Sequence, residues 1–389
     1  MFKPSLFQSI FLDHYEEILY TLHPRRAEID NIDRLLTCNN PDHGYAWYEC
    51  KKCHTAKFVP FHCKSRFCPS CGVKYAMLRS ASFTNRMFNC KHRHIVFTID
   101  ENLRHYFLDD RSLLNELFHA VSDVLFRMFF QLNKSENFTP GFVAVLHTFG
   151  RDLKWNPHIH VLCTEGGAGN NQVWRNNFHF NFTFLRKAFQ KTLLERMRNK
   201  LGPSFKKTVS LSYKDHPDGF YVYAKTSDCP TEQTIKYIGR YLGRPVIGSS
   251  HIDKYDGSFV TFHYNRHEDD VYVEETLPAI EFIKRLIMHI PEKNFRMIRY
   301  YGLYAKHHKQ EAKLFRKNKN ACNPRYKKLF ESFYKWRFLM LSCFQQDPIR
   351  CTSCNKTMSL MMIRFNKGKE TLAEHYARVM NLPPGWKLS

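Results

Sequence analysis

The chain is short of acidic residues and has no long apolar run. Of its 389 residues, 36 are Asp or Glu and 59 are Lys or Arg, so the formal net charge is +23. No stretch approaches the roughly eighteen apolar residues of a membrane-spanning helix. The N-terminus lacks the apolar block and cleavage site of a signal peptide. These absences exclude a membrane-spanning protein and predict a cytoplasmic one, and internal repeats and low-complexity tracts are absent too.

The excess of positive charge predicts a polyanionic partner, and nucleic acid fits better than a membrane because no lipidation signal is present. Residues 293–337 hold 14 Lys or Arg against two acids. A solvated basic helix face is the simpler interpretation of that segment. A nucleic-acid surface is favoured by the aromatic residues between the charges, Tyr300, Tyr301, Tyr304, Tyr326, Tyr334 and Trp336.

The 13 cysteines of a chain in a reducing compartment are metal ligands or core thiols. Two C-x-x-C pairs lie close in sequence, and we expect their four thiolates to hold one structural zinc ion. Two further cysteines nearby either form a second zinc site or simply pack. A third C-x-x-C pair near the C-terminus has no partner pair after it, so it is half of a ribbon or binds nothing. The predicted zinc ligands are Cys50, Cys53, Cys68 and Cys71, the open pair is Cys38 and Cys63, and the third pair is Cys351 and Cys354.

His158 and His160 lie two residues apart in an apolar segment that reads as a strand. Alternate residues of a strand face the same way, so both imidazoles point at one spot and form half of a divalent-metal site. His147, on the preceding strand, is the candidate third ligand, and antiparallel pairing would bring it beside the pair. The alternatives are Asp152, Glu165 and Gln233. Such a site suits Mg²⁺ or Mn²⁺, although imidazoles also accept zinc.

Tyr237 and Tyr241 lie four apart in a segment with helical spacing, so they share one helix face. Phenols beside a bound metal are the groups required to cut a phosphodiester covalently. Tyrosine has an unperturbed pKa of about 10 and is a weak nucleophile at neutral pH. Lys236 and Arg240 are placed to favour its phenolate form.

Strands that alternate with helices predict an α+β core over residues 90–305. We expect a helix and zinc-binding module over residues 1–88, a catalytic domain over 89–305, and a basic, mainly helical region with a C-x-x-C knuckle over 306–389. Asp256-Gly257 predicts a hairpin turn, and residues 208–212 read as a strand.

The combination of motifs resembles the HUH-type, two-tyrosine rolling-circle transposases of bacterial insertion sequences, distant relatives of the Helitron transposases. The similarity covers most of the chain and includes that family's N-terminal transposase zinc-binding domain. One position departs from the family pattern, because Glu165 precedes the pair Gly166-Gly167 where an apolar residue is expected. The motifs that carry the resemblance are His62-Cys63-Lys64-Ser65-Arg66-Phe67-Cys68-Pro69-Ser70-Cys71, Asn156-Pro157-His158-Ile159-His160, Tyr237-Ile238-Gly239-Arg240-Tyr241, His289-Ile290-Pro291 and Arg299-Tyr300-Tyr301-Gly302.

The resemblance implies an antiparallel sheet with flanking helices, structural Zn²⁺ and catalytic Mg²⁺ or Mn²⁺. It implies that Tyr237 and Tyr241 cut single-stranded or hairpin DNA at element ends through a 5′-phosphotyrosine link. The expected location is the cytoplasm, with the nucleoid when DNA is bound, and self-association is left open. Candidate DNA contacts are Arg151, Lys236, Arg240 and Arg244.

Two other functions remain open from the sequence. A rolling-circle replication initiator shares the same chemistry, although the zinc module and the C-terminal motifs favour a transposase. A non-catalytic, zinc-dependent DNA-binding protein would use its histidines and tyrosines only for packing. Formation of a covalent protein–DNA adduct separates this last class from the two enzymes.

Overall fold

The computed structural model describes most of the chain, with gaps at several places. The described residues are 3–84, 87–88, 90–132, 134, 138–170, 173–177, 179–225, 245–266, 269–305, 331–332, 335–365 and 368–371. The segment 226–244 therefore lies outside the described residues, and with it lie the predicted tyrosine helix, Gln233, Lys236, Tyr237, Arg240, Tyr241 and Arg244. Most of the basic segment also lies outside them.

An antiparallel sheet forms the centre of the molecule, with strand order β11-β4-β5-β3-β7 and a short strand β6 paired to β5. The long neighbours β4 and β5 carry the three candidate metal ligands. The strands of this sheet are β3 (His92–Thr98), β4 (Thr139–Phe149), β5 (Trp155–Ala168), β6 (Trp174–Asn176), β7 (Val222–Lys225) and β11 (Ile298–Gly302).

The back face of this sheet carries the main hydrophobic core. Side chains alternate between the faces of a strand, so Ile159, Val161 and Cys163 of β5 all point backwards. They are fully buried against two 20-residue helices, α5 (Leu113–Leu132) and α6 (Phe182–Leu201). Burial of this kind contributes roughly 1.5–3 kcal/mol per large apolar side chain. The close packing of the back face therefore holds in place the strands that carry the histidines on the front face.

The front face is apolar at one end and polar at the other. Val143, Val145 and Leu162 pack with Phe83 and Tyr304 near the apolar end. The Tyr304 hydroxyl accepts a hydrogen bond from the Phe88 N–H at 3.1 Å and lies 2.7 Å from His92 Nε2. That tyrosine is therefore a structural residue rather than a nucleophile. The histidines occupy the other end of the same face.

The helices bound the sheet and build the N-terminal module. A short helical turn, Tyr15–Glu17, and a π-helical turn, Ile18–Leu22, follow the first helix. The helices are α1 (Leu6–Asp13), α2 (Arg26–Leu36), α3 (Pro69–Thr84), α4 (Arg104–Asp109), α5 (Leu113–Leu132), α6 (Phe182–Leu201), α7 (Lys206–Asp215), α8 (Ala279–Ile287) and α9 (Trp336–Phe344).

A second sheet joins the two ends of the chain, in the order β13-β12-β1-β2. The hairpin of β1 (Gly44–Glu49) and β2 (Ala56–Pro60) belongs to the N-terminal module, and β1 also pairs with β12 (Ser359–Phe365). The last strand is β13 (Gly368–Thr371). The C-terminal strands therefore extend the sheet of the N-terminal module, while the predicted domain limits stay predictions.

A third sheet, β10-β9-β8, packs with α8 against the N-terminal helices. Its strands are β8 (Ile252–Tyr255), β9 (Phe259–Asn265) and β10 (Tyr272–Pro278). Phe7 and Phe11 of α1 lie in the same cluster as Phe282 and Leu286 of α8. This cluster connects the N-terminal helices to the third sheet and to α8.

The α+β architecture predicted from the sequence is confirmed, and so is the hairpin at Asp256-Gly257, which joins β8 to β9. The strand predicted over residues 208–212 is wrong, because these residues lie inside helix α7. The Gln190 amide donates to the Ser212 and His216 carbonyls, which fixes this helix against α6. Among the described helices, none combines the length and apolar composition of a membrane span.

Candidate metal centres and active site

The front face of the central sheet brings three imidazoles together. In the pairing of β4 with β5, His147 lies directly opposite His158, and His160 follows on the same face of β5. The nearest ring nitrogens of the three residues all lie within 4.8 Å of one another. The arrangement expected from the sequence, including His147 as the third residue, is the one the fold produces.

The spacing of the imidazole nitrogens suits a small divalent cation. Nε2 of His158 and Nε2 of His160 are 3.0 Å apart. Two ligands at right angles, each about 2.1 Å from one ion, are separated by about 3.0 Å. The His147 ring lies 4.6 Å from the His160 ring, centroid to centroid. The trio therefore forms one side of a coordination sphere and leaves other positions open.

Hydrogen bonds to the remaining nitrogens fix which atoms can bind a metal. Nδ1 of His158 lies 2.7 Å from the Asn156 carbonyl oxygen, so it carries the proton and Nε2 is left with its lone pair. Nδ1 of His160 lies 2.9 Å from Nε2 of His94. A metal on Nε2 of His160 requires that Nδ1–H donates to His94. His94 therefore orients His160 and selects its tautomer.

Burial keeps His160 and His94 neutral, and the neutral imidazole is the form that binds metals. The pKa of His160 is lowered well below its ordinary value, mainly by desolvation, with the neighbouring histidines adding to the effect. Desolvation also lowers the pKa of His94 to about 3. The pair is therefore uncharged at neutral pH and needs no proton release before it meets a cation.

His289 braces the turn that connects the two histidine-bearing strands. Its Nε2 donates to the Leu153 carbonyl at 2.9 Å, and its Nδ1 lies 3.1 Å from the Thr148 hydroxyl. The ring is buried and stacks on Trp155, and burial lowers its pKa to about 4. This neutral imidazole holds β4 and β5 in register next to the metal ligands.

Two of the alternative third ligands have other partners. The carboxylate of Glu165 forms a buried ion pair with Arg93 at 2.7 Å, which accounts for its unexpected place before the glycine pair. The carboxylate of Asp152 accepts a hydrogen bond from the Lys154 backbone N–H and forms an ion pair with the Lys154 ammonium group. Neither belongs to the group of side chains that converge with His158 and His160.

A cavity of about 520 Å³ opens between the N-terminal module and the central sheet, and His147 lies in its wall. Its two acidic lining residues, Asp30 and Glu292, are paired with Arg26 and Arg25 respectively. The cationic side chains in the wall are Arg34, Lys64, Arg66 and Lys293. The cavity is therefore positively charged and suits a polyanion.

The described residues at both ends of segment 226–244 belong to the sheet and the cavity that hold the histidines. At one end, Lys225 is the register partner of His94 in the pairing of β3 with β7. At the other end, Pro245 lines the same cavity as His147. A Cβ atom at Gly72, next to Cys71, would lie only 3.0 Å from Pro245. The N-terminal module therefore contacts the chain four residues after Tyr241.

Arg151 is the one predicted DNA contact among the described residues. Its guanidinium donates to the Asn265 carbonyl at 2.9 Å and forms an ion pair with Asp270 at 3.0 Å. The side chain is half exposed at the turn between β4 and β5. Its DNA-binding role stays a prediction.

Four cysteines form a compact thiol cluster at the base of the N-terminal module. Cys38 follows α2, Cys63 follows β2, and Cys68 and Cys71 stand at the start of α3. The Sγ atoms of Cys38 and Cys71 are 3.8 Å apart, as are those of Cys38 and Cys68. Four sulfurs about 2.3 Å from one zinc ion are separated by about 3.8 Å in a tetrahedron, so the set fits a structural zinc. Hydrogen bonding to Cys38 raises the pKa of the nearby His62 to about 9.

The predicted grouping of Cys50, Cys53, Cys68 and Cys71 in a single site is wrong. Cys50 and Cys53 lie at the tip of the β1–β2 hairpin, whereas Cys68 and Cys71 lie near its base with Cys38 and Cys63. Strands of five or six residues span roughly 17–20 Å, which is too far for one ion to bridge. The Cys38 and Cys63 pair, left open between a second zinc site and packing, belongs to the basal cluster.

His94 and His289 are the positioning residues that sequence reasoning missed. His92 and His94 form a second H-x-H pair, so a signal for His94 was present in the sequence. Its significance depends on the pairing of β3 with β5, which the sequence does not specify. His289 belongs to a motif noted in the sequence, but it lies 136 residues after Leu153 in the turn that it braces, and no local pattern connects the two.

Comparison with known proteins gives an independent view of the chain. Residues 10–99 match a family model described as "Transposase zinc-binding domain", and residues 141–312 match one described as "Putative transposase". The first match ends before the C-terminal cysteines, and the second contains all three histidines of the trio.

Two curated relatives carry transposase names. The transposase for insertion sequence element IS801 from Pseudomonas savastanoi pv. phaseolicola is 30% identical over 353 residues, which is 86% of this chain and 83% of the relative. The putative transposase y4qJ from Sinorhizobium fredii (strain NBRC 101917 / NGR234) is 25% identical over 285 residues, 67% of this chain and 70% of the relative. No solved structure matches the chain. The two domain matches and the extent of the first relative show that the chain belongs to this family of zinc-binding insertion-sequence transposases.

Proposed function

We propose that the chain cuts and rejoins single-stranded DNA at the ends of an insertion sequence, with Tyr237 and Tyr241 as nucleophiles and a divalent cation on His147, His158 and His160. The observation that carries the proposal is the convergence of three imidazoles on one face of the central sheet. The residues that flank the tyrosine-bearing segment belong to the same sheet at Lys225 and to the cavity beside His147 at Pro245. Rolling-circle transposition of the element is the proposed outcome.

The histidine trio supports a catalytic rather than a structural metal. Three ligands on one side leave positions for the oxygens of a phosphate, whereas the four-thiolate clusters are closed. When bound, Mg²⁺ or Mn²⁺ would polarise the scissile phosphate and neutralise its developing negative charge. The neutral imidazoles add no charge of their own, so the full charge of the cation would act on the phosphate.

The cavity supports a path for a DNA strand toward the trio. Arg34, Lys64 and Arg66 bring positive charge from the N-terminal module, and Lys293 adds a further positive charge to the wall. The Tyr75 ring also lines the cavity, and the guanidinium groups of Arg66 and Arg79 each lie 5.1 Å from its centroid. Charge and aromatic surfaces together are typical of sites that bind single strands.

In the proposed reaction, the phenolic oxygen attacks the phosphorus and forms a phosphotyrosine bond. The bond from phosphorus to the 3′ oxygen breaks, and the leaving strand takes up a proton as its 3′-hydroxyl forms. A 3′-hydroxyl can then attack the phosphotyrosine, which re-forms a phosphodiester and releases the phenol, and the second tyrosine can accept or cleave another strand in the same way. The bond energy is retained at every step, so two nucleophiles allow transfer without an external energy source.

Labelled single-stranded oligonucleotides that cover the DNA flanking the coding sequence provide the test. With Mn²⁺, we expect a covalent adduct that retains a 3′-end label and releases a 5′-labelled fragment, whose free 3′-hydroxyl a polymerase can extend. An adduct that retains the 5′-end label would contradict the proposed polarity. DNA binding without any adduct would leave the non-catalytic DNA-binding function, and adducts only away from the element boundaries would favour a replication initiator.

His94→Ala is expected to weaken Mn²⁺ binding by roughly 10–100-fold, because His160 loses the acceptor that fixes its tautomer. Saturating Mn²⁺ should restore most of the adduct-forming rate. His94→Gln retains an acceptor oxygen at similar reach and should recover most of the affinity. Titration with Mn²⁺ measures the metal affinity of the wild type and of both variants. Equal affinity in the wild type and His94→Ala would contradict the positioning role.

A further inference from the structure

A second group of four cysteines lies at the tip of the β1–β2 hairpin. Cys50 and Cys53 meet Cys351 and Cys354, which come from the opposite end of the chain. The Sγ atoms of Cys50 and Cys354 are 3.4 Å apart, and those of Cys53 lie 3.5 Å from both C-terminal sulfurs. These separations are close to the roughly 3.8 Å of a tetrahedral zinc–thiolate site.

The two C-x-x-C turns have the same backbone conformation. In each, the N–H of the first cysteine donates to the carbonyl oxygen five residues later, at 3.0 Å for Cys50 and 2.8 Å for Cys351. The residue after the second cysteine is left-handed in both, with φ of 57° at His54 and 59° at Asn355. Its N–H donates back to the carbonyl of the first cysteine. Two matched turns present four sulfurs to one point.

Neither disulfides nor simple packing accounts for this geometry. A disulfide requires sulfurs about 2.05 Å apart, and all of these thiols are free. Packing would bury the thiols in an apolar core, but Cys53 is exposed and the surrounding apolar cluster is small. A tetrahedral metal satisfies four converging thiolates at a partly exposed position.

We propose that Cys50, Cys53, Cys351 and Cys354 hold a second structural zinc ion, which fastens the C-terminal region to the N-terminal zinc module. The inference goes beyond the proposed DNA chemistry. The C-terminal ligands lie far outside the zinc-binding domain match, which ends at residue 99. A zinc ion at this site would link Cys50 to Cys354, which lie 304 positions apart in the sequence.

Contacts around the hairpin tip hold the N-terminal and C-terminal cysteine turns next to each other. The Thr55 hydroxyl donates to the Ser353 hydroxyl at 3.1 Å, and the Tyr48 ring stacks on Trp336. The Lys57 ammonium donates to the Arg350 carbonyl at 3.3 Å. The basic segment between β11 and α9 is thereby anchored at both ends, by the central sheet and by this second site.

Zinc content per chain tests the inference. The measurement uses the full chain carrying His158→Ala and His160→Ala, so that the histidine trio contributes no metal. We expect two zinc ions per chain by elemental analysis of the purified protein. Adding Cys351→Ser and Cys354→Ser should reduce the content to one. Adding Cys343→Ser instead should leave it at two, because Cys343 faces Met77 away from the cluster.

A conservative variant separates lost ligation from lost folding. Cys354→His supplies an imidazole ligand and should retain two zinc ions, whereas Cys354→Ser should retain fewer. A content of one zinc in the starting protein would overturn the inference, even if the double serine variant failed to fold. Equal zinc content in the starting protein and the double serine variant would overturn it as well.

Discussion

Replacing Tyr237 and Tyr241 together by Phe is expected to abolish the covalent protein–DNA adduct, with a loss of roughly 10³-fold or more in its rate of formation. Each substitution removes one hydroxyl and leaves the ring, so packing and charge change little. Affinity for single-stranded DNA should stay within about twofold, since phosphate contacts from Lys and Arg supply most of it. Denaturing gels quantify the adduct, and a filter-binding assay gives the affinity.

Tyr221→Phe plus Tyr223→Phe is the matched control, because these two tyrosines are exposed and lie just before segment 226–244. That control should form the adduct at the wild-type rate. The single variants Tyr237→Phe and Tyr241→Phe then show which phenol attacks first. Persistence of the adduct in the double variant would mean that another residue is the nucleophile.

His158→Ala and His160→Ala are each expected to reduce adduct formation by about 10²–10⁴-fold, because the cation contributes several kcal/mol to stabilising the transition state. Both residues serve one ion, so the double variant should be little worse than either single variant. Binding of single-stranded DNA should be largely retained. Adduct rates are measured across a range of Mn²⁺ concentrations, at which the wild type saturates and the variants do not.

His105→Ala is the control for the histidine variants, since this exposed imidazole lies on α4 outside the trio. It should react like the wild type at every Mn²⁺ concentration. Parallel thermal unfolding separates chemistry from folding. If the trio variants lose DNA binding and stability to the same degree as they lose adduct formation, the histidines are structural.

Local patterns were sufficient to predict the two histidine-bearing strands of the central sheet, but not β6 or β11. Alternation along β5 separated the histidines from Ile159 and Val161, and the preceding apolar strand placed His147 within pairing distance. The helix at residues 206–215 was missed because its β-branched residues favour a strand in isolation. Packing against α6 and the hydrogen bonds from Gln190 override that preference.

The zinc ligands show where sequence reasoning fails. Spacing alone paired Cys50 and Cys53 with the nearest knuckle, because nothing local reveals that an extended hairpin separates them. Their actual partners, Cys351 and Cys354, depend on the pairing of β1 with β12. Such long-range pairing is decided by the whole fold and leaves no short-range signal. His94 was missed for the same reason, because its contact with His160 depends on the pairing of β3 with β5.

In the proposed mechanism, one cation on the histidine trio and one phenol of segment 226–244 act on the same phosphate. Anomalous scattering from a crystal of the chain soaked with Mn²⁺ measures where the cation binds relative to the phenols. We expect a peak about 2.2 Å from Nε2 of His158 and His160, with a hydroxyl of Tyr237 or Tyr241 within about 6 Å, close enough for both to reach one phosphate. An empty trio, or a peak with both phenols more than about 10 Å away, would show that the cation and the phenols do not act together.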